Sequence, residues 1–164
     1  MTSLFSYFRM KQLAPCLICL ILIFLSQTPD SRFLFVPLVY IPIFYFAVFR
    51  PGLLNAYLLF FLGLLADTLT QTPFGLFSLL FVLMFFVARL NHLFLQELSF
   101  RNLWIFFVVL SGFMLLIQFF IFVLSESAVV HTKFLFQQFT VLALYFPLGL
   151  RGCDWLNRWI GYSE

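Results

Sequence analysis

Long apolar runs, separated by brief polar or proline–glycine punctuation, make up this chain. The pattern predicts helical spans over residues 12–29, 33–49, 52–69, 74–90, 103–125 and 134–150. At about 1.5 Å per residue, runs of this length suit a hydrocarbon core roughly 30 Å thick. The first run has a basic start, Arg9 and Lys11, in the manner of a signal peptide. No small-x-small cleavage site follows it, only Ser26-Gln27-Thr28-Pro29-Asp30, so it is read as a span. The second contains Pro37 and Pro42, each removing a backbone donor, and is expected to bend; Tyr40 and Tyr45 are the hydroxyls expected to serve the freed carbonyls. Arg50-Pro51-Gly52 turns the chain into the third span, which holds Asn55 at a depth where an amide needs a partner.

The connection from Arg89 to Arg101 places Leu90, Phe94 and Leu98 on one helical face, which predicts an interfacial segment or an extension of the fourth helix. His92 within it reads as a solvated residue. Trp104 suits the headgroup boundary, and Gln118 is expected to be buried in the fifth span. The sixth span is followed by a short tail, with Trp155 and Trp159 at the membrane surface.

Composition sharpens the class. The 164 residues are 64% hydrophobic and only 9% charged, with a mean hydropathy of +1.10. A soluble domain carries about 25% charged residues and has too little interior to hide this much apolar surface. The expected fold is therefore an all-α integral membrane protein, a compact bundle of six transmembrane helices forming one polytopic domain over residues 1–164. The 27 phenylalanines read as lipid-facing and packing side chains.

Charge adds an orientation. Six spans put Arg9, Lys11, Arg50, Arg89, Arg101, Arg151 and Arg158 on one side, and Arg32 and Lys133 on the other. The basic side is cytoplasmic, and both termini with it. No Lys/Arg-rich tract invites nucleic acid. Cys16-x-x-Cys19 lacks a second ligand pair, and Cys153 stands far away, so neither a disulfide framework nor a metal site is expected. Asp30, Asp67, Glu126 and His131 fall at outer ends of spans, but no spacing marks them as a catalytic cluster. The expectation is a protein with no catalytic residues, no metal and no cofactor.

The most informative stretch is Gly63-Leu64-Leu65-Ala66-Asp67-Thr68-Leu69-Thr70-Gln71-Thr72-Pro73-Phe74-Gly75. Asp67 is flanked by sixteen uncharged residues before and twenty-one after. A charge at bilayer depth costs roughly 2.5 to 3.5 kcal/mol on insertion scales, so this carboxylate must find a partner, a watery cavity or the membrane boundary. The stretch predicts two helices joined by a very short loop, with Thr68 and Thr70 serving the last carbonyls of the first. Three roles stay open for Asp67: holding helix ends together, binding a partner protein, or moving a proton or small solute. The partner-binding candidates are Asn55, Gly63, Asp67, Pro73, Gly75 and Gln118.

Pro42, Arg50-Pro51, the Gly63-x-x-x-Asp67 stretch and Pro73-Phe74-Gly75 together resemble the rod shape-determining MreD family. Ala88-Arg89-Leu90-Asn91-His92 and Trp104 are similar too, although this chain is richer in Phe and poorer in basic residues after Arg89. The resemblance implies a noncatalytic component of the cell-elongation machinery in a bacterial inner membrane, organising lateral peptidoglycan synthesis. Its implied partners are an MreC-like protein, the MreB filament through it, and nearby RodA with its class B penicillin-binding protein. The implied fold is similar to the substrate-binding subunits of energy-coupling-factor vitamin transporters. Such a subunit of a small-molecule transporter is the alternative function.

Overall fold

A computed structural model describes residues 17–24, 36–50, 52, 54–70, 72–124 and 132–159, and every regular element among them is helical. Cys16, Asp30, Arg32, Pro51, Glu126 and His131 lie outside the described residues, as do Arg9 and Lys11. The helices are α1 (17–24), α2 (Tyr40–Phe49), α3 (Ala56–Thr70), α4 (Leu76–Leu90), α5 (His92–Glu97), α6 (Phe100–Leu124) and α7 (Thr132–Trp159). A 3-10 turn, Val36–Val39, leads into α2.

The centre of the molecule is α2. Tyr40 through Val48 are all buried, as expected of a helix that is apolar on every side. It packs on α4, α5 and α7. Midway along it, Phe44 meets Phe107 of α6 at 5.2 Å and Phe146 of α7 at 6.0 Å, and the last two rings stack at 4.2 Å. Aromatic pairs of this kind add about 0.5–1.5 kcal/mol each beyond their burial.

Several expected boundaries shift. Pro42 is the third residue of α2, and the turn running into it, Val36–Val39, is 3-10 rather than α-helical. The third helix starts at Ala56, so Asn55 stands just ahead of it, exposed, with its carbonyl accepting from Leu59 N at 3.2 Å. The sixth helix does not stop at residue 150 but runs on to Trp159, with Pro147 inside it. The expected tail is therefore part of α7.

Of the described helices, α6 is long and apolar enough to cross a membrane by length and composition, with 25 residues and a mean hydropathy of 2.7 over an 18-residue stretch. Helices α2, α3 and α4 are apolar but shorter, Tyr40–Phe49, Ala56–Thr70 and Leu76–Leu90. Fifteen residues make about 22 Å of helix.

In the connecting segment α5, the buried residue is Leu95. Leu90 and Phe94, expected on the same face as Leu98, stand exposed beside Leu93. Gln96 Nε2 donates to the Val48 carbonyl at 2.6 Å, tying this segment to the end of α2 beside the buried Leu95. His92 is held locally, with Nδ1 2.7 Å from the Arg89 carbonyl.

Candidate functional site: a carboxylate inside the α3–α4 hairpin

The strongest sequence signal folds into the strongest helix–helix contact. Asp67 lies in the last turn of α3, buried to 1% exposure. Three residues after α3 ends, Pro73 accepts from Leu76 N at 3.2 Å, and Gly75 follows with φ +92°. That left-handed conformation is cheap for glycine and starts α4 at once. As the N-cap, however, glycine brings no side chain to satisfy the first N–H groups of its helix.

Asp67 supplies what Gly75 lacks. Its Oδ2 accepts from Gly75 N at 2.9 Å, and its Oδ1 accepts from Phe77 N at 2.8 Å. The Thr72 hydroxyl donates to Oδ1 at 3.2 Å, and the Ser78 hydroxyl approaches Oδ2 at 3.5 Å. The carboxyl thus caps the next helix from the preceding one. Negative charge at a helix N-terminus is also favoured by the macrodipole.

Gly63, one turn earlier on the same face, permits the approach. A Cβ there would run into the backbone of Ser78 and lie 2.9 Å from the Phe77 carbonyl carbon. The Ser78 hydroxyl crosses to the Phe60 carbonyl at 3.1 Å. Thr68 and Thr70 donate back to the Leu65 and Ala66 carbonyls at 2.8 and 2.7 Å, just short of the last four carbonyls of α3 that the sequence assigns to them. Gly63, Asp67, Pro73 and Gly75 therefore form one connected device.

No family model, curated protein or solved structure matches this chain. Its chemistry has to be read from the geometry alone.

The other candidates are scattered. Asn55 is exposed just ahead of α3, at the opposite end of that helix from Asp67. Gln118 is buried in α6 at 1% exposure, and its Oε1 accepts no hydrogen bond. The tyrosines depart from expectation. The Tyr45 hydroxyl donates to Asp154 on α7, not to a carbonyl freed by proline. The Tyr40 hydroxyl is buried with no hydrogen-bond partner, its ring edge-on to Phe81 at 5.7 Å. Among the described residues no three His, Cys, Asp or Glu side chains converge as metal ligands.

Two further polar contacts escaped sequence reasoning. Pro147 cannot donate to the carbonyl four residues before it, that of Ala143. Trp104 of α6 fills the gap, its Nε1 donating to the Ala143 carbonyl at 3.1 Å. The tryptophan assigned to the headgroup boundary thus repairs a proline break in the neighbouring helix. Pro147 in an apolar run signalled an orphaned carbonyl; nothing local identified the donor. Asp154, the other case, looked like a tail residue, and its partner Tyr45 is 109 positions away.

Proposed function

We propose that this chain is a six-span protein of a bacterial inner membrane, both termini cytoplasmic, acting as a noncatalytic MreD-like component of the cell-elongation machinery. The observation that carries the membrane part is an inside-out distribution of polarity. Large apolar side chains stand exposed on α1, α3, α4, α5, α6 and α7, among them Phe24, Phe61, Leu79, Leu93, Val109, Phe113, Phe120 and Leu148. Asp67, Ser78, Ser111 and Gln118 are turned inward. Apolar side chains outside and polar side chains turned inward, with Asp67 and Ser78 hydrogen-bonded there, is the arrangement lipid demands. Helices α3 and α4, short for the core, would be accommodated by local thinning of the bilayer.

The functional part leans on the Gly63–Gly75 device. Because Gly63 and Asp67 face α4, they act on a partner through the shape of the hairpin. The hairpin leaves α3 packed chiefly on α4, with Tyr57 82% and Phe61 66% exposed on its outer side. We place the membrane segment of a single-span, MreC-like partner there, linking the chain to the MreB filament, RodA and the class B penicillin-binding protein. Contacts of this type rest on close packing and hydrogen bonds of about 1 kcal/mol each.

Depletion in the rod-shaped host is expected to give round cells, and a photo-crosslinker at Phe61 is expected to capture the single-span partner. Unchanged rods after depletion would overturn the reading. The alternative, a transporter's small-molecule subunit, needs polar anchors in a pocket. The cavity between α1, α2 and α7 is lined almost wholly by apolar groups. Copurification of a stoichiometric polar ligand would favour that alternative.

A further inference from the structure

A cavity of about 230 Å3 lies between α1, the start of α2 and the C-terminal half of α7. Ile18, Leu22, Leu38, Ile41 and Pro42 form one wall. Tyr145, Gly149, Gly152 and Cys153 form the other. The lining offers water little: one hydroxyl, one thiol, and a proline without an N–H. An apolar cavity of about 150 Å3 already stays dry and takes up a hydrocarbon such as benzene. A helix about 10 Å across would not fit.

The glycines point to an occupant. Gly149 is needed for packing, since a Cβ there would lie 2.6 Å from Ile41 Cγ2. Gly152, nearly one turn on, has no such reason: nothing stands within 4 Å of the position its Cβ would take. A glycine inside a helix costs roughly 0.5–1 kcal/mol relative to alanine. Here it leaves one side of the cavity open, and Gly152 is itself exposed, at the mouth. Arg151 and Trp155 stand exposed beside it on α7, residue types suited to headgroup level.

We propose that this cavity holds one acyl chain of a membrane phospholipid, inserted between α1, α2 and α7 with its phosphate at the level of Arg151. The inference rests on the membrane reading above and extends it to a defined lipid site. Neither a partner helix nor a polar metabolite matches the size and lining together.

The test uses the full chain, extracted from lipid nanodiscs into mild detergent and weighed by native mass spectrometry. One phospholipid per chain is expected to survive extraction. Gly152→Phe, which adds a ring at the cavity mouth, is expected to lower the retained fraction about tenfold. Should that variant fail to fold, the unaltered chain decides. Reconstituted with a phospholipid bearing a diazirine in its acyl chain, it is expected to crosslink at residues 18–22 and 145–153. Crosslinks spread evenly over outward residues such as Phe113 and Phe120, or detergent retained without phospholipid, would overturn the proposal. A detergent-requiring protein that retains no lipid defeats the cavity assignment alone. A protein recovered without detergent defeats the membrane reading as well.

Discussion

At the junction of α3 and α4 the backbone is short of acceptors, whereas between α6 and α7 it is short of a donor. The first shortage arises because Gly75 opens α4 without a capping side chain, and Asp67 reaches over from α3 to accept from Gly75 N and Phe77 N. The second arises because Pro147 leaves the Ala143 carbonyl unserved, and Trp104 reaches over from α6 to donate to it. Each pair thus uses one helix to finish the hydrogen bonding of its neighbour. The surroundings differ. Asp67 is buried and accepts from Gly75 N, Phe77 N and the Thr72 hydroxyl, and Gly63 presses the two backbones together behind it. Trp104 is 38% exposed and makes a single bond. Where water or headgroups can substitute, the same kind of repair is worth less.

The largest expected effect breaks the first pair. Asp67→Ala leaves one buried and one half-buried N–H group without acceptors and should cost about 3 kcal/mol in thermal or denaturant unfolding in detergent. Asp67→Asn should recover little, because its amide nitrogen would face a site built from donors. Gly63→Ala comes next, at roughly 2 kcal/mol, since the new methyl collides with Ser78 backbone that cannot give way cheaply. Trp104→Phe tests the second pair and should cost about 1 kcal/mol. The sharper measurement is a double-mutant cycle with Pro147→Ala. Restoring the N–H at position 147 lets α7 serve its own Ala143 carbonyl, so most of the Trp104→Phe penalty should vanish in that background. A penalty unchanged by Pro147→Ala would show that Trp104 acts through packing. The smallest effect belongs to Asn55→Ala, expected within about 0.5 kcal/mol because the side chain is exposed.

This contrast also explains what could be read beforehand. The α3–α4 device is local: Asp67 and Gly75 are eight residues apart, and an isolated carboxylate beside Pro73 and Gly75 announces both the turn and the need for donors. What stayed hidden was the direction of service, that the aspartate completes the following helix. Trp104 and Ala143 are 39 residues apart, and Tyr45 and Asp154 are 109 apart. No periodicity carries such pairings, because a side chain's partner across a bundle depends on crossing geometry. The same blindness misplaced the end of α7. Arg151 and Asp154 look like a solvated tail until Tyr45 is seen to hold Asp154 against the central helix. Asn55 was misjudged for a simpler reason: α3 begins at Ala56, four residues later than the sequence suggests.

If the chain is inserted in a bilayer, as proposed above, the service rendered by Asp67 has a consequence for biogenesis. While α3 emerges from the ribosome, the amides that will receive its carboxylate have not yet been delivered to the lipid. A nascent chain ending at Thr70 would leave that charge uncompensated, at a cost of several kcal/mol. The two helices should therefore enter the bilayer as a pair, with α3 waiting in the insertion machinery for its successor. Glycosylation mapping of chains truncated before Pro73 and after Leu90 would show integration in the longer product alone.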